Sequence, residues 1–214
     1  MAHNTSYVGL RSDMLEILPR GRRFERALDV GCATGATGSV LKQRGAHVTG
    51  IEYSSESAGV ASEVLDEVLE GDAGVLLGKL EAEGRRFDLV MCGDVLEHLV
   101  DPWTALATIR LLVPDGLVVV SLPNVAHLST FSALLSGQWP YRERGIHDRT
   151  HLRFFGERNL KALFGGAGFE ERERRVHHRV IERPHWLNEF SAPVTSRLPV
   201  LRRYTAYQFV SLLA

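Results

Sequence analysis

The stretch that decides the fold is LDVGCATGATG, Leu28 to Gly38. An apolar run ends in glycine, a turn of small residues follows, and a helix-compatible segment opens at once. That is the grammar of a strand, a tight turn and a helix. Glycines at 31, 35 and 38 let the backbone bend sharply and let a ligand come close. The helix that follows offers unpaired N–H groups and the positive end of its dipole. A glycine-rich turn alone is also compatible with a purely structural β-α connection.

Working outward, the same alternation continues. His47 to Glu52 reads as a second strand, with Ser54 or Ser55 capping the helix after it. Glu67 to Glu70 reads as a third strand, Ala73 to Ala82 as a helix, Phe87 to Cys92 as a fourth strand. Pro102 opens a helix to Leu112, and Leu117 to Leu122 is a fifth strand beyond the turn at Pro114, Asp115 and Gly116. Strands alternating with helices predict a parallel α/β sheet with helices on both faces. Ligands then bind outside the carboxyl ends of the strands, which aligns Gly31, Glu52, Asp72 and Gly93 along one edge.

From Pro123 to about Gly156 the alternation breaks. Trp139, Tyr141, His147, Asp148, His151, Phe154 and Phe155 crowd this stretch, so it is expected to be an ordered insertion over the pocket, a lid at 123–157. A helix is predicted at Arg158 to Phe164, a strand from Phe169, and a last strand at Ala206 to Leu213. The chain of 214 residues, 44% hydrophobic and 24% charged, suits one domain spanning 1–214, with 1–25 as an N-terminal helical cover.

The net charge of −1 gives no overall footprint for nucleic acid. The run ERERRVHHR, Glu171 to Arg179, alternates in sign and reads as a solvated face, so no nucleic acid partner is expected. Two cysteines, Cys32 and Cys92, fit free thiols in a reducing compartment. No apolar run reaches the roughly 18 residues of a membrane span, and the N-terminus lacks a signal-peptide pattern; a cytoplasmic location is expected. Trp186 and Phe190, between Pro184 and Arg203, are candidates for a homodimer interface or for the core.

Glu52 stands 21 positions after Gly31, the place from which a carboxylate bonds ribose hydroxyls. Turn and carboxylate together point to an adenosine-bearing cofactor. The spacing is G-x-x-x-G-x-x-G, with Ala33 inside it, rather than the G-x-G-x-x-G of dinucleotide sites. That favours S-adenosyl-L-methionine (SAM) over a nicotinamide, and the remaining chain is too short for a dehydrogenase's substrate domain.

At this point the sequence resembles class I SAM-dependent methyltransferases, in a bacterial subgroup acting on small molecules and glycans. LDVGCATG looks like their first motif, VTGIEYS (Val48 to Ser54) the segment after it, and EGDA (Glu70 to Ala73) the acidic position near adenine. FDLVMCGDVLEHLVDP (Phe87 to Pro102) is similar to the strand-four motif and GLVVVSLPN (Gly116 to Asn124) to strand five. The resemblance implies a Rossmann-like, seven-stranded, mostly parallel sheet. It implies SAM as cofactor and S-adenosyl-L-homocysteine as product. Gly31, Ala33 and Gly35 would line the methionine moiety, with Asp29 orienting their loop. Glu52 would hold the ribose, Asp72 and Ala73 would bond adenine, and Tyr53 would pack on it. Gly93, Asp94 and His98 would face the methionine end. Tyr7 and Arg11 would fold across the pocket or remain helix surface.

The expected reaction is methyl transfer to a small-molecule acceptor, O- rather than N-directed: a sugar, a polyketide or a phenol. An oxygen acceptor needs its proton removed, and histidine is the commonest base. YRERGIHDRTHLRFF (Tyr141 to Phe155) resembles the corresponding subgroup segment and makes His147 or His151 the base, oriented by Asp148. Arg149 and Arg153 are candidate holders of an anionic group. The alternative for these histidines is a structural one, tying the lid down. His147, Asp148 and His151 match no metal-ligand spacing, so no metal is expected. Two competing functions remain: a non-catalytic SAM-binding scaffold and an NAD-dependent oxidoreductase.

Overall fold

The computed structural model describes residues 9–182, 185–188 and 197–214. The chain runs α1 (Ser12–Glu16), β1 (Arg26–Val30), α2 (Ala36–Gln43), β2 (His47–Glu52), α3 (Ser55–Ser62), β3 (Glu67–Glu70), α4 (Ala73–Ala82) and β4 (Leu89–Gly93). A short 3₁₀ turn at Leu96–His98 leads to α5 (Pro102–Leu112) and β5 (Leu117–Pro123). Then come α6 (Leu128–Leu135), α7 (Glu157–Gly166), β6 (Glu171–His178), α8 (Pro199–Thr205) and β7 (Ala206–Leu213). The strands form one seven-stranded sheet in the order β3-β2-β1-β4-β5-β7-β6. The first five strands are parallel to their neighbours, and β7 joins both β5 and β6 antiparallel.

Period-two alternation decides which side chain enters which face. Leu28 and Val30 of β1, Val90 and Cys92 of β4, and Val118 and Val120 of β5 pack with Leu80 of α4, Leu106 and Ile109 of α5, and Leu163 and Phe164 of α7. Ala27, Leu89, Met91 and Val119 point the other way, onto Met14 and Leu15 of α1, Leu41 of α2 and Ala61 of α3. Both faces are buried, which is why β5 reads LVVVSL without a polar alternate. Cys32 and Cys92 are free and buried.

Two elements differ from the sequence expectation. The stretch 123–157 is not wholly irregular, because α6 sits inside it. The His127 ring accepts from the Ser129 N–H at this helix's start. Leu128, Phe131, Leu134 and Leu135 recur at helical spacing yet stay exposed. The segment is anchored, as an ordered insertion requires: the Leu152 and Arg153 N–H groups donate to the Glu97 carbonyl, and Asn124 bridges to Phe155. The strand expected from Phe169 begins at Glu171 and forms the sheet edge, with Phe169 itself in the core. Among the described residues no helix is long and apolar enough to cross a membrane.

Candidate active site

The loop after β1 is built for close approach. Gly31 has φ of 70°, and a Cβ there would lie 2.5 Å from the Val95 side chain. Ala33 also takes a positive φ of 48°, an uncommon state for a residue with a side chain. It is held there by its N–H, which donates to Glu52 Oε2 at 2.9 Å. Glu52 Oε1 accepts from the Ser54 N–H at 2.8 Å. The carboxylate at the end of β2 thus fixes the loop after β1, and each oxygen keeps a second acceptor site for a ribose hydroxyl.

These residues line a cavity of about 510 Å³ that also takes in Gly93, Asp94, Met14 and Arg11. Its size is in the range of small-molecule sites. Gly35 belongs to a different contact: its missing side chain faces Val64 at 2.7 Å and Leu65 at 3.1 Å. Gly35 therefore serves the packing of α2 against the α3–β3 connection, rather than the cavity wall. Asp72 caps α4, accepting from the Val75 N–H at 3.0 Å. Asp72, Ala73 and the exposed Tyr53, expected to meet adenine, are not among the residues lining the cavity. Tyr7 lies outside the described residues.

Asp29 lies beneath the loop, 5% exposed, with one carboxyl oxygen lacking a hydrogen-bond partner among the described residues. Burial pushes its pKa up to about 7, the Glu52 charge adds to that, and a hydrogen bond from the Gly38 N–H opposes it. Asp94, left-handed at φ 55°, gathers three donors: Arg11 at 2.6 Å, the Ser121 hydroxyl at 2.9 Å and the Gln208 amide at 2.6 Å. Arg11 also grips Asp13 through two nitrogens, and Asp13 bonds His177 of β6 at 3.1 Å. The N-terminal segment is thereby strapped across the cavity.

A second chamber of about 850 Å³ adjoins the first and shares Asp94, Arg179, Tyr207 and Gln208 with it. Its wall includes Glu97, Tyr141, Arg142, Arg144 and His151. The Arg179 guanidinium stacks 4.2 Å from the centre of the Tyr207 ring. Register explains why β7 supplies this wall: Gln208 pairs with Pro123 at the carboxyl end of β5.

The three expected catalytic residues separate. His151 reaches the chamber. Its Nδ1 lies 3.1 Å from the Ile146 carbonyl, which can only accept, so Nδ1 carries the proton and Nε2 the lone pair. That Nε2 has no partner among the described residues. Burial lowers the His151 pKa, helped by the neighbouring His98, so the ring stays neutral at pH 7. His147 lines neither chamber: it is fully buried, 3.1 Å from the Thr130 hydroxyl, 3.4 Å from Glu182 and edge-on to Trp139. Asp148 folds the turn, accepting from the Thr150 N–H at 2.8 Å and its hydroxyl at 2.6 Å. Arg149 pairs with Glu143, and Arg153 covers the Trp103 ring; neither lines the chamber, where Arg142, Arg144 and Arg179 stand instead.

His98 turns away from the cofactor cavity and meets His151 edge-on, ring centres 4.7 Å apart. Glu97 beside it is 1% exposed, and burial together with the Asp94 charge holds its carboxyl well above the usual range. Glu97, Arg179, Tyr207 and Gln208 were not singled out in the sequence. Glu97 had a legible signal, a carboxylate in the apolar run VLEHLV; the others reach the site only through sheet pairing.

Comparison with known proteins identifies the family. Residues 1–173 match the family model described as "Methyltransferase domain". The ubiquinone biosynthesis O-methyltransferase of Psychrobacter arcticus is 29% identical over 176 residues, 78% of this chain and 68% of its own length. That of Aeromonas salmonicida is 30% identical over 77% of this chain and 71% of its own. Among solved structures, a SAM-dependent methyltransferase from Archaeoglobus fulgidus superposes with a TM-score of 0.66 at 18% identity, over 94% of this chain and 91% of that one. Magnesium protoporphyrin IX methyltransferase from Synechocystis, with bound S-adenosylhomocysteine, gives 0.63 at 18% identity, over 94% and 80%.

Proposed function

The chain belongs to the class I SAM-dependent methyltransferases, and on that premise we propose that it methylates a hydroxyl of a small molecule held in the larger chamber. The observation that carries this reading is the shared wall: Asp94, Arg179, Tyr207 and Gln208 border both chambers, so an acceptor in one meets the contents of the other. SAM supplies an electrophilic methyl on a sulfonium. Gly31, Ala33 and Glu52 hold it, and the N-terminal segment through Arg11 closes over it. The acceptor's O–H proton passes to His151 Nε2; its oxygen bonds the methyl carbon as the C–S bond breaks with its electrons kept by sulfur. The chain's main contribution is to bring oxygen and methyl together and exclude water.

O-methylation is favoured by the neutral imidazole facing the chamber and by relatives named ubiquinone biosynthesis O-methyltransferase. A phenolic acceptor suits the aromatic wall of Tyr141 and Tyr207. The segment 123–157 is the acceptor lid and 9–25 the described part of the cofactor cover of a single domain. His147 and Asp148 act on the reaction by holding the lid that carries His151. A soluble small molecule rather than nucleic acid is the acceptor, in the cytoplasm, and the exposed apolar face of α6 suits a homodimer.

The test is methyl transfer from labelled SAM to a panel of phenols, sugars and amines. Label on phenol oxygen, lost in His151→Ala with SAM affinity kept, is the expected outcome. Transfer to amines only, or full activity of His151→Ala, overturns it. SAM binding with no transfer to any acceptor returns weight to the scaffold.

A further inference from the structure

We infer that Arg144 and Arg179 form an anion subsite in the larger chamber, so that the acceptor carries a carboxylate or phosphate beside its reacting hydroxyl. This deepens the proposed function and rests on reading that chamber as the acceptor site. Among the described residues, the carboxyl groups on its wall are those of Asp94, Glu97, Glu143 and Glu182. Asp94 pairs with Arg11 and takes further donors from Ser121 and Gln208. Glu182 pairs with Arg142, and Glu143 with Arg149. Burial and the Asp94 charge favour the protonated, neutral form of Glu97.

Two guanidinium groups on the same wall are left over. Arg144 and Arg179 pair with no carboxylate among the described residues. An arginine cannot shed its proton to relieve this, unlike a buried lysine or histidine. The chamber therefore carries an excess of positive charge, although the chain as a whole has a net charge of −1. A concave wall of one sign draws in a ligand of the other.

Geometry brings the two arginines to one place through Glu182. The Arg179 guanidinium lies 4.2 Å from the centre of the Tyr207 ring, and its Nη1 donates to the Glu182 carbonyl at 3.2 Å. Stacking occupies the face of the group. It leaves the Nε and Nη2 edge without a partner among the described residues, the fork that meets two carboxylate or phosphate oxygens at once. The turn that carries Arg144 presses on the same glutamate. Gly145, at φ 89°, lies so close that a Cβ would stand 2.7 Å from Glu182 Oε1 and 3.5 Å from the Tyr207 hydroxyl. The turn is closed by the Arg142 N–H on the His147 carbonyl and the Arg149 N–H on the Arg142 carbonyl, each at 2.9 Å. The Arg144 backbone is thus held on both sides, while its side chain is exposed and lines the chamber.

Position also sets the layout of the acceptor. Arg179 lines both chambers, whereas His151 lines the acceptor chamber alone. The anion therefore binds beside the boundary at which the methyl arrives. Charge and reacting hydroxyl then lie close together on one ring, as in a hydroxybenzoate or a sugar phosphate. A neutral phenol would leave both arginines without a counter-charge. The methionine carboxylate of SAM is the other anion that Arg179 could meet, and the experiment separates the two.

The test is calorimetry on the full-length protein saturated with S-adenosyl-L-homocysteine, whose own carboxylate is then already placed. The probes are meta-hydroxybenzoate and the neutral meta-hydroxybenzamide, which has nearly the same shape. The acid should bind at least about tenfold more tightly than the amide, and Arg144→Gln and Arg179→Gln should each remove most of that preference. S-adenosyl-L-homocysteine affinity should hold in both variants, which also shows that they fold. Equal binding of acid and amide, or no binding of either, overturns the subsite. An Arg179→Gln variant that loses S-adenosyl-L-homocysteine affinity while keeping its preference for the acid gives this arginine to the cofactor, and overturns it too. Methylation of neutral phenols with the KM of their acidic counterparts overturns the subsite and leaves the proposed function intact. Charge-selective binding lost in both variants, with no hydroxyl methylated, supports the subsite and sinks the proposed function instead.

Discussion

At the residue scale, the carboxylates at the sheet edge do different work because their surroundings differ. Glu52 keeps contact with the cavity and binds two backbone N–H groups, so it both shapes the loop and remains open to a ligand. Glu52→Ala removes a charged acceptor and should weaken SAM binding by one to two orders of magnitude, about 1.5–3 kcal/mol; unchanged affinity in calorimetry would discard the ribose assignment. Asp29 is the opposite case. Its carboxyl keeps a proton in the fold between about pH 4 and 7, where the unfolded chain has lost its own. By linkage this group favours the fold at low pH, and its contribution fades as pH rises through about 7. Asp29→Asn should remove that slope, leaving the variant more stable than wild type by a few kcal/mol at pH 8 relative to their difference at pH 4. Urea midpoints at the two pH values check this, and parallel slopes would refute it. Both carboxylates were legible because they sit within or at the end of short apolar strands, β1 and β2, that local sequence marks. The base assignment was legible only to the level of a cluster, since which of His147 and His151 faces the chamber is decided by folding of the turn at Asp148.

At the element scale, β1 to β5 and their helices read well because each buries a stripe that local sequence repeats. α5 is the clearest: Ala105, Leu106, Ile109 and Leu112 recur at helical spacing, Asp101 caps the start by accepting from the Thr104 N–H, and Pro102 opens the first turn. Leu106 is fully buried against the sheet, so Leu106→Ala should cost about 2–5 kcal/mol of stability, seen as a lower urea midpoint without change in the slope. A cost under about 1 kcal/mol would mean that α5 is not a core element. α6 shows the converse. Its apolar residues face outward, so the stripe has no core to confirm it and the insertion read as irregular. The walls supplied by β7 were beyond sequence reading for another reason. Nothing local tells that β7 enters antiparallel between β5 and β6, yet that pairing alone carries Tyr207 and Gln208 to the site.

At the scale of the whole molecule, the fold and the ligand are thermodynamically linked. The cofactor cavity joins residues from α1, the loop after β1, the end of β2, the end of β4 and β7, so none of it exists in the unfolded chain. Whatever fills it stabilises the whole domain by the mass-action amount, about 2.7 kcal/mol at a hundredfold excess over Kd. SAM and S-adenosyl-L-homocysteine should therefore each raise the melting temperature by several degrees at saturating concentration. NAD should not, because its pyrophosphate would need the close backbone approach that Gly31 gives but Ala33, carrying a side chain in a left-handed state, denies. A melting-temperature rise with NAD alone would reject the loop argument and the cofactor with it. A rise with both classes would show that the loop does not discriminate. A rise with SAM that disappears in Glu52→Ala, and survives in His151→Ala, would separate the two chambers by function as they are separated by their linings.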